Sequence, residues 1–200
     1  MIETVEQLRA AYPEPKRRSV LKQLDHLDRH CRRFIELSPF VVVATAGRDG
    51  NLDASPRGGA SGFVKALDAH TLHLPDALGN NRLDSHSNII DTGRVGMIFF
   101  IPGVDETLRV NGSAKLRNEP EILGRYSGER HPPRVVIEVG VKEAYLHCAK
   151  ALMRSRLWDA AAQVERSVLP SMGEMLRDQT GSTDALETRE QMLARYVQEL

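Results

Sequence analysis

Two stretches of this chain combine arginine with residues that let backbone approach a ligand: Ser55-Pro56-Arg57-Gly58-Gly59 and Leu74-Pro75-Asp76-Ala77-Leu78-Gly79-Asn80-Asn81-Arg82. A guanidinium grips phosphate through parallel N–H bonds, and glycine-bearing turns can aim backbone N–H groups at the same anion. Glycine at positions 58, 59 and 62 keeps side chains out of the way. The second stretch leads into a short expected helix, whose first amides also favour negative charge. Arg82, expected in its first turn, opposes the helix dipole there and is better explained by a bound anion. The chemistry these residues suggest is capture of a phosphorylated cofactor at one point, where Arg57 and Arg82 meet.

Other reaction classes lack their signatures. There is no GxSxG elbow, no HExxH, no phosphate-binding GxxxxGK[ST] loop and no GxGxxG before a crossover helix. His147 and Cys148 are adjacent, so a strand points them to opposite faces and they cannot act as a nucleophile pair. His26 and His30 stand four apart on an expected helix, but no third ligand has suitable spacing, and a solvated helix face explains them. No catalytic side chain is identified and no metal is expected. Chemistry, if present, belongs to the cofactor.

Composition narrows the setting. The chain has 200 residues, 41% of them hydrophobic, enough for one core without disulfides or metals. Lys plus Arg and Asp plus Glu number 27 each, so no bulk charge draws the chain to nucleic acid or to an anionic membrane. Cys31 and Cys148 form no CxxC pair, which fits a reducing compartment. The N-terminus is acidic, with no apolar run of signal-peptide or membrane-spanning length, so a cytoplasmic location is expected.

The elements that must position the arginines follow from periodicity. Leu21, Leu24, Leu27, Cys31, Phe34 and Ile35 recur every three or four residues and predict a helix running to about residue 37, separated by Pro13 and Pro15 from a shorter one. Phe40 to Thr45 reads as a buried strand, Asp49-Gly50 as a hairpin turn, and Leu52 to Pro56 as the return strand entering the first arginine turn. Phe63 to Leu67 and Thr71 to Leu74 form a second hairpin. A short helix follows from Asn81 to Ile90. Arg94 to Ile101 and Thr107 to Leu116 are strands. The latter alternates Leu108, Val110, Ala114 and Leu116 with Arg109, Asn111, Ser113 and Lys115. One or two helical turns fit residues 121–127, and a further strand runs from Arg134 toward Leu146.

The last fifty or so residues return to helix. Lys150, Arg154 and Arg156 lie beside the only tryptophan, Trp158, and Asp184 with Glu187 is expected to open a final amphipathic helix carrying Leu186, Leu193, Tyr196, Val197 and Leu200. Six or seven strands at hairpin spacing predict a mainly β fold with helices, built on an antiparallel barrel. One domain results: a helical segment over 1–37, a barrel over 38–147, and helices over 148–200 packing on it.

From about Phe34 to about Trp158 the chain resembles the FMN-binding split-barrel family, the pyridoxamine 5′-phosphate oxidase-like flavoproteins. The resemblance rests on Ser38-Pro39-Phe40, Ser55-Pro56-Arg57-Gly58 with Gly62-Phe63-Val64, Leu72-His73-Leu74-Pro75-Asp76, Gly79-Asn80-Asn81-Arg82-Leu83, Asn88-Ile89, Phe99-Phe100-Ile101-Pro102-Gly103 and Leu108-Arg109-Val110-Asn111-Gly112, in this order. It implies a six- to seven-stranded split barrel and a homodimer with FMN in clefts at the interface. It also implies an FMN-dependent oxidoreductase with a small-molecule substrate, NADH or NADPH being a candidate donor.

By the same resemblance, Arg57 within Pro56-Arg57-Gly58 contacts the FMN phosphate, Asn81 and Arg82 supply the second basic pair, and the backbone at Leu74 and Pro75 faces the ring. Asn88 and Asn111 stand where polar flavin contacts fall, and Lys150, Arg154 and Trp158 are candidates to reach the flavin from the C-terminal segment. The family's phosphate lysine after the first arginine has no counterpart, since Gly59, Ala60, Ser61 and Gly62 occupy that stretch. The segment around Arg154 and Trp158 also does not match the oxidase's own motif, which argues against oxidation of pyridoxamine phosphate. Two other readings stand beside the enzyme: a non-catalytic flavin-binding or redox-sensing protein, and a split barrel holding a deazaflavin or haem.

Overall fold

The hairpin signals in the sequence resolve into seven antiparallel strands. The computed structural model describes residues 1–199, with β1 (Phe40–Ala46), β2 (Leu52–Gly58), β3 (Lys65–Ala66), β4 (Thr71–Pro75), β5 (Arg94–Ile101), β6 (Val104–Arg117) and β7 (Val136–His147). Their order across the sheet is β2-β1-β5-β6-β7-β4-β3. The pairs β1–β2, β3–β4 and β5–β6 are joined by short turns, as at Gly50 with φ +83° between β1 and β2. Among the described residues β2 and β3 do not pair with each other, so the sheet curls into a split barrel rather than closing.

Alternation places the core. Val41, Val43 and Thr45 of β1, Val95, Met97 and Phe99 of β5, and Leu108, Val110 and Ala114 of β6 are buried on one face. A bulge displaces Lys142 where Asn111 pairs with Glu143 but Gly112 pairs with Val141. The bulge changes which residues of β7 face inward: Ile137, Val139 and Val141 before it, Ala144 after it. Gly112 is required there, since a Cβ at that position would overlap the carbonyl oxygen of Gly140.

The helices are α1 (Val5–Ala10), α2 (Arg17–Leu21), α3 (Arg29–Leu37), α4 (Asp84–Thr92), α5 (Pro120–Leu123), α6 (Lys150–Ser155), α7 (Met172–Thr180) and α8 (Arg189–Glu199). The helix expected through residues 21–37 is interrupted. Leu24 makes a β-bridge to Ala144, with N–H···O bonds of 3.0 and 2.8 Å, and Leu27 donates to Ala69 at 2.7 Å. Asp28 then caps α3 by accepting from the Cys31 N–H at 2.8 Å. The leucine spacing is shared by two unlike segments, and the capping aspartate marks the boundary. His26 and His30 therefore do not share a helix; His26 instead bonds to Asp25 at 2.8 Å.

Cys31 is core, its thiol pushed up to about 12 by burial and by Asp28, which makes it inert as a nucleophile. The last helix opens later than expected. Thr188 and Gln191 cap α8 reciprocally, at 3.2 and 2.9 Å, whereas Glu187 pairs with Arg195 at 2.9 Å. Leu200 lies outside the described residues. After residue 149 only Leu152 is buried among the described residues, so the C-terminal helices add little to the core. Among them no helix is long and apolar enough to cross a membrane.

Candidate functional site

Strand β2 alternates Asp53, Ser55 and Arg57, which are half-buried, with Leu52, Ala54, Pro56 and Gly58, which are exposed. The hairpin thus turns Arg57 toward the barrel side, beneath the start of α4. Its guanidinium donates to Asp76 Oδ1 at 3.3 Å and to Ser85 Oγ at 3.4 Å, and Ser85 donates to Asp53 at 2.5 Å. The Nε of Arg57 is buried and has no partner. Asp76 follows β4 and is fixed by its own N–H donating to Val135 at 2.9 Å.

The loop from Asp76 into α4 closes the other side. Asn81 and Leu83 both take left-handed backbone conformations, with φ +58° and +61°. Asparagine tolerates that conformation, but for Leu83 it costs roughly 1–2 kcal/mol, and such strain gathers at ligand sites. Arg82 sits between them, ahead of the helix rather than in its first turn. The chain reaches the helical range only at Asp84, because Leu83 is the left-handed residue before it. Arg82 is exposed and pairs with Asp84 at 2.7 Å.

Together these residues line a cleft of about 160 Å³, walled by Arg57, Asp76, Asn81, Arg82, Ser85 and His86, with Asp53 and Asp84 beside them. The first turn of α4 supplies Ser85 and His86, both buried. The cleft is sized for a phosphate group; a tricyclic ring would have to lie outside it.

The expected site residues divide by position. Arg57, Asn81 and Arg82 meet in the cleft. Pro56 and Gly58 point to the opposite, exposed face of β2. Leu74 is core, while Pro75 ends β4 half-buried, next to Asp76. Asn88, one turn along α4, donates to Thr45 Oγ1 at 3.0 Å, and Asn111 donates to Glu143 on the outer side of the sheet. Lys150 and Arg154 are exposed on α6. Trp158 donates from Nε1 to the Val104 carbonyl at 2.9 Å, pinning the C-terminal segment to the β5–β6 turn. Arg109, whose alternation with core residues suggests a structural ion-pair partner, instead donates to the Tyr145 hydroxyl at 2.9 Å and lies over that ring.

Four of these cleft residues carried no functional expectation: Asp53, Asp84, Ser85 and His86. Asp53 was legible in principle, since it shares the period-two face of Arg57. Ser85 and His86 depended on where α4 begins, which the strained loop decides.

Residues 27–148 match the family model described as pyridoxamine 5′-phosphate oxidase, more than half of the chain. The chain belongs to that family. Among solved structures, a HupZ variant from Group A Streptococcus is 17% identical and covers 60% of this chain and 99% of its own, with a TM-score of 0.51. A candidate pyridoxamine 5′-phosphate oxidase from Lactobacillus delbrueckii is 19% identical, covering 62% and 98%, with a TM-score of 0.49. A pyridoxamine 5′-phosphate oxidase-related, FMN-binding protein from Nostoc punctiforme is 11% identical, covering 58% and 78%, with a TM-score of 0.43. At these identities only the fold is shared, and the argument for it rests on the family match and the HupZ variant. No curated protein matches the chain.

Proposed function

We propose that this protein is an FMN-binding flavoprotein acting as an FMN-dependent oxidoreductase, with the phosphate end of the cofactor in the Arg57 cleft. The observation that carries this reading is Arg57 in the wall of a cleft at the head of α4, with its Nε buried and unpartnered. A buried donor without a partner costs about 1–3 kcal/mol, and a phosphate oxygen would satisfy it. The loop that holds Asn81 and the strained Leu83 in left-handed conformations gives the same cleft its shape.

In this reading Arg57 grips the phosphate, Asn81 and Arg82 close over it, and the end of β4 at Leu74 and Pro75 leads toward the ring. Bound FMN would supply hydride acceptance at its N5 position. The chain's task is to hold the phosphate, orient the ring and limit access of water.

The outer face of the sheet favours a homodimer. Phe40, Val42, Leu52, Pro56, Ile98 and Phe100 share it across β2, β1 and β5, with Leu52 84% exposed. An apolar sheet face of this kind is a protein-contact surface. A second copy packed there would enclose Pro56 and Gly58, which the cleft leaves outside.

The visible spectrum of the purified protein tests the cofactor. Flavin absorption, or uptake of added FMN in preference to riboflavin, is the expected result. A colourless preparation that binds neither overturns the reading.

A further inference from the structure

His86 stands in the wall of the cleft with its side chain only 8% exposed. Both ring nitrogens are buried and neither has a hydrogen-bond partner. Asp76 Oδ1 lies 3.5 Å from Nε2, too long for a good hydrogen bond but close enough for a strong charge interaction. A buried imidazole left without any partner is costly, so its position calls for an explanation.

The charges around it supply one. The cleft brings together three carboxylates, Asp53 from β2, Asp76 after β4 and Asp84 on α4 itself, against two guanidinium groups, Arg57 from β2 and Arg82 from the preceding loop. With His86 neutral the site is negative by one charge. Strands β1, β5 and β6, which also lie against α4, contribute no side chain to the cleft wall. A phosphate monoester brings roughly −1.5 to −2 more near neutral pH. Two arginines already committed to carboxylates do not offset that.

We propose that His86 is the proton-carrying ligand of this cleft: an arriving phosphate monoester draws a proton from solvent onto the imidazole, which then neutralises Asp76 and donates to the anion. In the ligand-free protein, burial keeps the imidazole below its ordinary value of 6.5; Asp76 pulls against that and Arg57 adds to it. The neutral form therefore prevails in the empty cleft at neutral pH, and binding changes the protonation state. Anion affinity becomes linked to pH through one residue. Asp76 is tolerated next to a phosphate because His86 can cancel it, and Arg57 is held in place by Asp76 in the meantime.

The inference rests on the phosphate reading of the cleft, and two measurements separate its failure from failure of the flavin assignment. In the first, FMN and riboflavin affinities are measured for the wild type and His86→Gln between about pH 6 and about pH 8.5. The FMN ratio of variant to wild-type Kd should rise to about tenfold at the acidic end, the factor set by one unit of pKa change, and approach one at the alkaline end. Because both proteins meet the same titrating ligand, the ratio isolates the histidine. Riboflavin, without a phosphate, should show no such rise. A pH-independent FMN ratio, or an equal rise for riboflavin, overturns the proposal.

In the second, the His86 ring resonances of the unmodified protein are titrated by NMR with and without inorganic phosphate. An upward move of its titration midpoint supports the proposal, and an unmoved midpoint overturns it. This readout decides the matter even if FMN fails to bind.

Discussion

His73 and His86 are both buried, and they differ in what their ring nitrogens find. His73, on β4, is 1% exposed; its Nδ1 lies 3.0 Å from the Tyr126 hydroxyl and its Nε2 lies 3.3 Å from Glu138. Glu138 is held in turn by Arg117 at 2.6 Å. Burial pushes the Glu138 carboxyl up, but the bonds from Arg117 and then His73 outweigh it and leave it below its ordinary value. This network ties β4, β6 and β7 to the segment after α5, and every polar group within it has a partner. His86, one connection further along the chain, has none. The difference separates a region whose polar groups are satisfied within the chain from one whose polar groups are left open.

Four experiments can break or sharpen that contrast. The largest effect belongs to His73→Ala, which leaves the Tyr126 hydroxyl without its partner and Glu138 with Arg117 alone beside a cavity, and should cost about 3 kcal/mol in urea unfolding. FMN affinity of the folded fraction should be unchanged. A variant of wild-type stability would show that the paired histidine is not structural. Next comes Arg57→Ala, expected to weaken FMN binding by about 1.5–3 kcal/mol, the scale of a charge-assisted hydrogen bond, as read by isothermal calorimetry. Unaltered affinity removes the phosphate from the cleft.

The third uses pH. His86 and His147 are both held below 6.5, each chiefly by burial, with Arg57 contributing at His86 and Arg109 and then Lys22 at His147. The unfolded chain takes up these protons first as pH falls, so stability is full above 6.5 and declines as pH drops toward the folded-state values. The thermal midpoint of the ligand-free protein should therefore fall between about pH 7 and about pH 5.5. The double variant His86→Gln, His147→Gln should flatten that decline, and a wild-type profile already flat would contradict it. The smallest effect is assigned to Arg82→Ala. That side chain is exposed and shared with Asp84, so FMN affinity should fall by less than for Arg57→Ala, and the loss should shrink in salt. Equal losses would mean that the Asp84 pair opens when the anion arrives.

The hairpins were legible because their signals are local, whereas the pairings of β1 with β5 and of β7 with β4 and β6 join distant segments. Alternation from Phe40 to Ala46 and from Thr107 to Leu116, and turns at Gly50 and Pro102-Gly103, depend only on neighbouring residues and on which face must be buried. The order of the motifs carrying Arg57, Pro75, Asn81 and Arg82 likewise pointed to one family and one anion. The helices were less legible. A leucine every three residues serves the bridge at Leu24 as well as the helix at Arg29, and only the capping side chains of Asp28 and Thr188 separate helix from approach.

What the sequence determined by itself was therefore the class: alternation and turn chemistry, which act over a few residues, gave an antiparallel barrel, and the resemblance carried by the motif order implied a split barrel with Arg57 and Arg82 at one site. What only the tertiary structure decided was the state of each group in the cleft. Arg57 is locked against Asp76 and Ser85, Arg82 is drawn outward by Asp84, and His86 is buried without a partner. Charge balance and hydrogen-bond satisfaction depend on distances between β2, the end of β4 and the first turn of α4, and no local pattern in the chain encodes those distances.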